Sequence, residues 1–158
     1  MMEQAIFAAG CFWGVEAAFR AVPGVTEVVA GYSGGAVPHP GYREVCTGRT
    51  GHAESVEVEF DPARVSYADL LRKFWEIHDP TTMNRQGPDV GTQYRSAIFY
   101  LTPAQEAAAR ASKQEEQTRS ARPIVTEMTA AGPFYPAEEY HQRYLEKHGM
   151  VNCHLPTR

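Results

Sequence analysis

Apolar residues recur along this chain in two periods, and the switches between them mark the elements. Gln4 to Ala9 is a short apolar run closed by Gly10, the pattern of a buried strand. Val15, Ala18, Phe19 and Val22 then follow at i, i+3, i+4 and i+7, the pattern of a helix that stops before Pro23-Gly24. Cys11 therefore stands at a strand-to-helix junction. Val25 to Ala30 predicts a second strand, running into Gly31-Tyr32-Ser33-Gly34-Gly35 and a long loop. That loop reaches Gly51 and holds six of the thirteen glycines with Pro38 and Pro40; loops of this length in compact folds are usually functional or disordered.

Glu54 to Phe60 alternates, with Val56, Val58 and Phe60 on one face and Ser55, Glu57 and Glu59 on the other, so parity places Glu54 on the apolar side. Ser66-x-x-Asp69 reads as a capping box opening a helix that buries Leu70, Leu71, Phe74 and Trp75 and ends at His78-Asp79-Pro80. A polar loop to Gln93 precedes a strand from Arg95 to Leu101, and Thr102-Pro103-Ala104-Gln105 opens a surface helix with an N-cap, a proline at its first position and a capping-box glutamine. Ile124 to Met128 predicts a last strand and Ala137 to Lys147 a last helix. The irregular order predicts an α+β fold, a mixed sheet covered by helices in a two-layer sandwich. A single domain spans 1–158, with a flexible tail over about 148–158.

Composition narrows the function. With 158 residues and 43% hydrophobic positions, disorder is excluded. The net charge of −4 lacks the basic excess that phosphate backbones demand, so nucleic acid is not an expected partner. No apolar run approaches the ~18 residues of a membrane span and no leader precedes the first strand, so a cytoplasmic protein is expected. Three separated cysteines, Cys11, Cys46 and Cys153, form neither a dense disulfide framework nor a CxxC pair. The six histidines make no metal-ligand spacing, and no metal or cofactor is implied.

Cys11 is the first candidate for chemistry, because unpaired N–H groups at a helix start favour thiolate. Its alternative is a small buried hydrophobe. Phe12 and Trp13 either line a pocket or pack in the core. Glu54, on the apolar face, should hold its proton to high pH and could donate it, unless it curls out to solvent. Tyr42 and Tyr94, at loop edges, offer O–H donors. His141 and Tyr144 can share one face of the last helix.

Gly10-Cys11-Phe12-Trp13-Gly14 resembles the signature of the A-type peptide methionine sulfoxide reductases. Gly31-Tyr32-Ser33-Gly34-Gly35, Tyr42-Arg43-Glu44-Val45-Cys46, Gly51-His52-Ala53-Glu54, His78-Asp79-Pro80, Gly91-Thr92-Gln93-Tyr94-Arg95-Ser96 and Glu139-Tyr140-His141-Gln142 resemble that family's other blocks, in order. The resemblance implies reduction of methionine S-sulfoxide, free or in proteins. The Cys11 thiolate attacks sulfur, Glu54 supplies a proton, Tyr42 and Tyr94 hold the oxygen, and Phe12 and Trp13 accept the S-methyl group. It further implies a supporting place for Asp89 and contacts from His141 and Tyr144 near the substrate backbone.

The same resemblance makes Cys153, twelve residues after His141, the recycling cysteine that condenses with a Cys11 sulfenic acid. Thioredoxin then reduces the Cys11–Cys153 disulfide, and Cys46 has no catalytic part. A monomer is expected, acting on oxidised proteins and free methionine sulfoxide. Glu54→Gln is expected to slow sulfenic acid formation most at high pH. Three rivals are set apart by product or substrate: a cysteine hydrolase makes an acyl-thioester, a thiol peroxidase the same sulfenic acid but from peroxide, and a peptide-binding module no product.

Overall fold

The computed structural model describes residues 1–149. Cys153 and nearly all of the expected tail lie outside the described residues. The chain runs β1 (Glu3–Ala9), α1 (Phe12–Arg20), β2 (Val25–Ser33), α2 (Tyr42–Cys46), β3 (Ala53–Phe60) and α3 (Tyr67–Glu76). It continues with β4 (Arg85–Gln86), β5 (Asp89–Val90), β6 (Ser96–Tyr100), α4 (Pro103–Gln117), β7 (Glu127–Ala130), β8 (Tyr135–Pro136) and α5 (Tyr144–Lys147). Among these described elements no helix is long and apolar enough to cross a membrane.

Six strands form one sheet in the order β7-β6-β1-β3-β2-β8, antiparallel except where β7 runs parallel to β6. The period-2 pattern of β1 divides it between two faces. Ala5, Phe7 and Ala9 face the helices, where Phe7 stacks on Phe19 at 5.0 Å and meets Phe74 at 5.4 Å. Ile6 and Ala8 face the other way, into a smaller cluster with Ala53, Ala97 and Phe99 that Ala131 and Phe134 cover. The expected mixed sheet with helices packed on one side is thus what the chain builds.

Of the two capping sequences, the first closes its box and the second caps through Thr102 alone. Ser66 accepts from the Asp69 N–H and Asp69 accepts from the Ser66 N–H, each at 3.0 Å. Thr102 accepts from the Gln105 N–H at 3.1 Å, although the Gln105 amide turns to the Leu101 N–H and the Gln4 carbonyl instead of closing the box.

Five segments differ from the sequence expectation, each because a contact outside the local period overrides it. The second strand continues to Ser33, since Gly31 leaves room for β8: a Cβ there would lie 2.4 Å from the Phe134 ring and 2.5 Å from the Tyr135 carbonyl. The long loop contains α2, and the polar loop before Tyr94 contains the β4–β5 hairpin and a 3-10 turn, Thr92–Tyr94. The last strand starts at Glu127, because the Val125 N–H is taken by the Pro80 carbonyl at 2.8 Å. The last helix is broken into a 3-10 turn, Glu139–His141, and α5, with Arg143 between them in left-handed backbone at φ 55° and ψ 38°.

Candidate active site

Cys11 is the N-cap of α1, half-buried, one residue after the Gly10 bend. Gly10 has φ +100°, and a Cβ on it would lie 2.9 Å from the Gln86 side chain. A glycine is needed here both for the left-handed turn out of β1 and for the approach of β4. The next N–H of the helix start, that of Phe12, donates to Glu54 Oε1 at 3.1 Å, so the β3 carboxyl group lies against the turn that carries the thiol. Glu54 is 1% exposed, with Val56, Val58 and Phe60 buried behind it, and the parity reading holds. Burial, offset partly by the Phe12 N–H and reinforced by the charge of Asp89, pushes the Glu54 carboxyl up to about 8. Glu54 therefore carries a proton at neutral pH.

Tyr42 opens α2, and Tyr94 closes the 3-10 turn after Gly91. Burial first, then the charge of Glu54, holds both phenols well above their ordinary range, so each stays an O–H donor. Asp89, Cys46 and Cys11 add to the effect on Tyr94, which places its hydroxyl among these groups. Asp89 on β5 is half-buried, with Oδ2 lacking a hydrogen-bond partner among the described residues. Cys46, at the end of α2, pairs with the Tyr42 hydroxyl, and burial raises its thiol.

Phe12 is buried, its ring 5.1 Å from His141 and 5.6 Å from Tyr32. Trp13 is half-buried and lies across the segment that follows β8: its Nε1–H donates to His141 Nδ1 at 2.9 Å, and its indole stacks on Tyr144 at 3.7 Å and 7°. His141 is 1% exposed and packs 4.4 Å from the Tyr42 ring. Burial lowers its pKa against the charge of Glu138, so the ring is neutral and Nδ1 can accept from Trp13. His141 and Tyr144 do meet one site, but from either side of the Arg143 break and not from one helix face. Nine of the ten residues singled out in the sequence are thus gathered around the start of α1, and the tenth, Cys153, lies outside the described residues.

Two carboxylates and a tyrosine escaped the sequence reading. Glu138 accepts from the Tyr32 hydroxyl at 2.8 Å and from the Tyr42 N–H at 2.9 Å, tying α2 to the segment before α5. Its signal is absent from local pattern, since both partners are far away in sequence. Glu16 was legible: Phe12, Glu16 and Phe19 share the helical stripe, and a carboxylate on that stripe marks a buried partner.

The chain matches the family described as peptide methionine sulfoxide reductase over residues 3–158. It is 62% identical over 154 residues to the peptide methionine sulfoxide reductase MsrA of Methanoculleus marisnigri, covering 96% of this chain and 94% of that one. Its fold superimposes on reduced Mxr1 of Saccharomyces cerevisiae with a TM-score of 0.91 at 36% identity, covering 97% and 89% of the two chains. Mxr1 in complex with Trx2 aligns with a TM-score of 0.69 at 25% identity, over 99% and 90%. The chain belongs to the peptide methionine sulfoxide reductase family and is an oxidoreductase acting on methionine sulfoxide.

Proposed function

We propose that Cys11 reduces methionine S-sulfoxide, free or in oxidised proteins, by direct attack on sulfur, with a protonated Glu54 as the acid. The observation that carries this reading is the Glu54 carboxyl group, buried to 1% exposure and accepting from the N–H beside the attacking thiol, a setting in which burial pushes its pKa up to about 8. Attack by the thiolate moves electron density onto the sulfoxide oxygen. Glu54 delivers its proton to that oxygen, while the Tyr42 and Tyr94 hydroxyls donate to it. Phe12 and Trp13 supply the apolar wall for the S-methyl group, His141 and Tyr144 border it on the side of the substrate backbone, and Asp89 sustains the protonated state of Glu54 by its charge.

The oxygen passes to Cys11, giving methionine and a Cys11 sulfenic acid. Condensation with the Cys153 thiol releases water and leaves a Cys11–Cys153 disulfide. A thioredoxin dithiol returns both cysteines to thiols and leaves as its own disulfide. The Trx2 complex of the yeast relative supports this donor. Because the relay ends on thioredoxin, the protein works in a compartment kept reducing, the cytoplasm.

Trapping tests the scheme. Pre-reduced Cys153→Ser protein, given one equivalent of S-sulfoxide peptide and dimedone, yields one methionine peptide and one dimedone adduct on Cys11. An adduct formed only with peroxide supports a peroxidase instead, and an acyl-thioester on Cys11 supports a hydrolase.

A further inference from the structure

Glu16 is a carboxylate buried to 1% exposure that takes no part in the proton transfer. Both of its oxygens accept from one backbone N–H, that of Arg143, at 2.9 Å each. Arg20, one turn along α1, closes the other side: its guanidinium reaches Glu16 at 3.1 Å, Glu27 at 2.8 Å and the Val28 carbonyl at 2.5 Å. Arg143 is the residue in left-handed backbone, a conformation that persists in a non-glycine residue only where surroundings hold it. Trp13 and Glu16 lie three apart on α1 and so point the same way. On the facing segment His141 and Tyr144, which grip the indole edge and face, flank the N–H that Glu16 holds.

We infer that Glu16 is a positioning residue: by clamping the Arg143 N–H it fixes the His141–Tyr144 segment on Trp13 and so sets the shape of the methyl pocket. The consequence for turnover rests on the proposed function, whereas the clamp itself does not. A pocket wall held from both sides presents the sulfoxide sulfur to Cys11 in one pose, and loss of the clamp leaves the thiol and the acid intact but the pose broad.

The chain has two tryptophans, so Trp75→Phe makes Trp13 the sole reporter. In that background Glu16→Ala is expected to make Trp13 fluorescence several times more quenchable by acrylamide. It should also raise KM for a sulfoxide peptide about tenfold to hundredfold, the worth of one carbon's fit in an apolar pocket, with a smaller change in kcat. Glu16→Gln keeps an acceptor for the Arg143 N–H and should recover most of both. In Trp13→Phe protein the KM effect of Glu16→Ala should largely vanish. Unchanged quenching in folded Glu16→Ala protein, or an equal KM rise with and without Trp13, overturns the clamp. If Glu16→Ala does not fold, Glu16→Asp, one methylene short of Arg143, gives the same comparison. Parent protein that reduces no sulfoxide overturns the proposed function instead, and the quenching then decides the clamp alone.

Discussion

One carboxyl group, Glu54, proposed as the acid of the reaction, weakens the fold. Its carboxyl ionises near 4.5 in the unfolded chain but is pushed up to about 8 in the folded protein. Between those values unfolding releases a proton, so Glu54 withdraws stability as pH rises from about 4.5 to about 8 and has no such effect below. Glu54→Gln should therefore melt higher than the parent at pH 8 by about 2–4 kcal/mol of stability, with the gain fading at pH 4–5. Calorimetry at the two pH values checks it. The same substitution should slow sulfenic acid formation about 10²–10⁴-fold below pH 8. That deficit narrows above pH 8, where Glu54 itself ionises, so the expectation of a largest effect at high pH is revised. Tyr42→Phe and Tyr94→Phe, each removing one donor from the developing oxyanion, should each lower the single-turnover rate, by up to about 10²–10³-fold for a full donor.

At the scale of elements, the β1–α1 junction carries most of the site, and it was readable because a buried strand, a glycine and a helical stripe follow one another without a gap. The alternation of β3 likewise revealed Glu54. What escaped were short pieces fixed by single side chains, two of them remote: α2 is pinned by Glu138 and the helix break by Glu16, while the β4–β5 hairpin is held by its own Gln86 amide on the Asp79 backbone. No local period encodes such contacts. Gly10→Ala should strain the junction and push against Gln86, displacing Cys11. A loss of kcat/KM larger than the loss of stability, measured side by side, is the expected sign. Ser66→Ala is the matching control: removal of the α3 cap should cost about 1 kcal/mol, with kcat/KM unchanged.

For the whole molecule, the sheet acts as a rigid back against which α1, α2, the 3-10 turn at Tyr94 and the segment before α5 converge on one thiol. Convergence from four stretches of sequence explains why residue types could be named in advance while their mutual geometry could not: Cys11, Glu54 and Trp13 carried chemical signals of their own, whereas the Arg143 break that brings His141 to the edge of the indole and Tyr144 to its face carried none. Recycling extends the account beyond the described residues. Cys153→Ser should leave one turnover per enzyme and abolish sustained turnover with thioredoxin, and thioredoxin-supported rates equal to the parent's would remove Cys153 from the relay.

The central claim, a thiol attacking the sulfur of one sulfoxide epimer, is met most directly by single-turnover reduction of separated S and R methionine sulfoxides by pre-reduced protein, with thiols counted before and after. The account predicts conversion of the S epimer alone, two thiols lost per methionine formed, and no conversion by Cys11→Ser. Conversion of the R epimer, or methionine formed with no thiol lost, would contradict it.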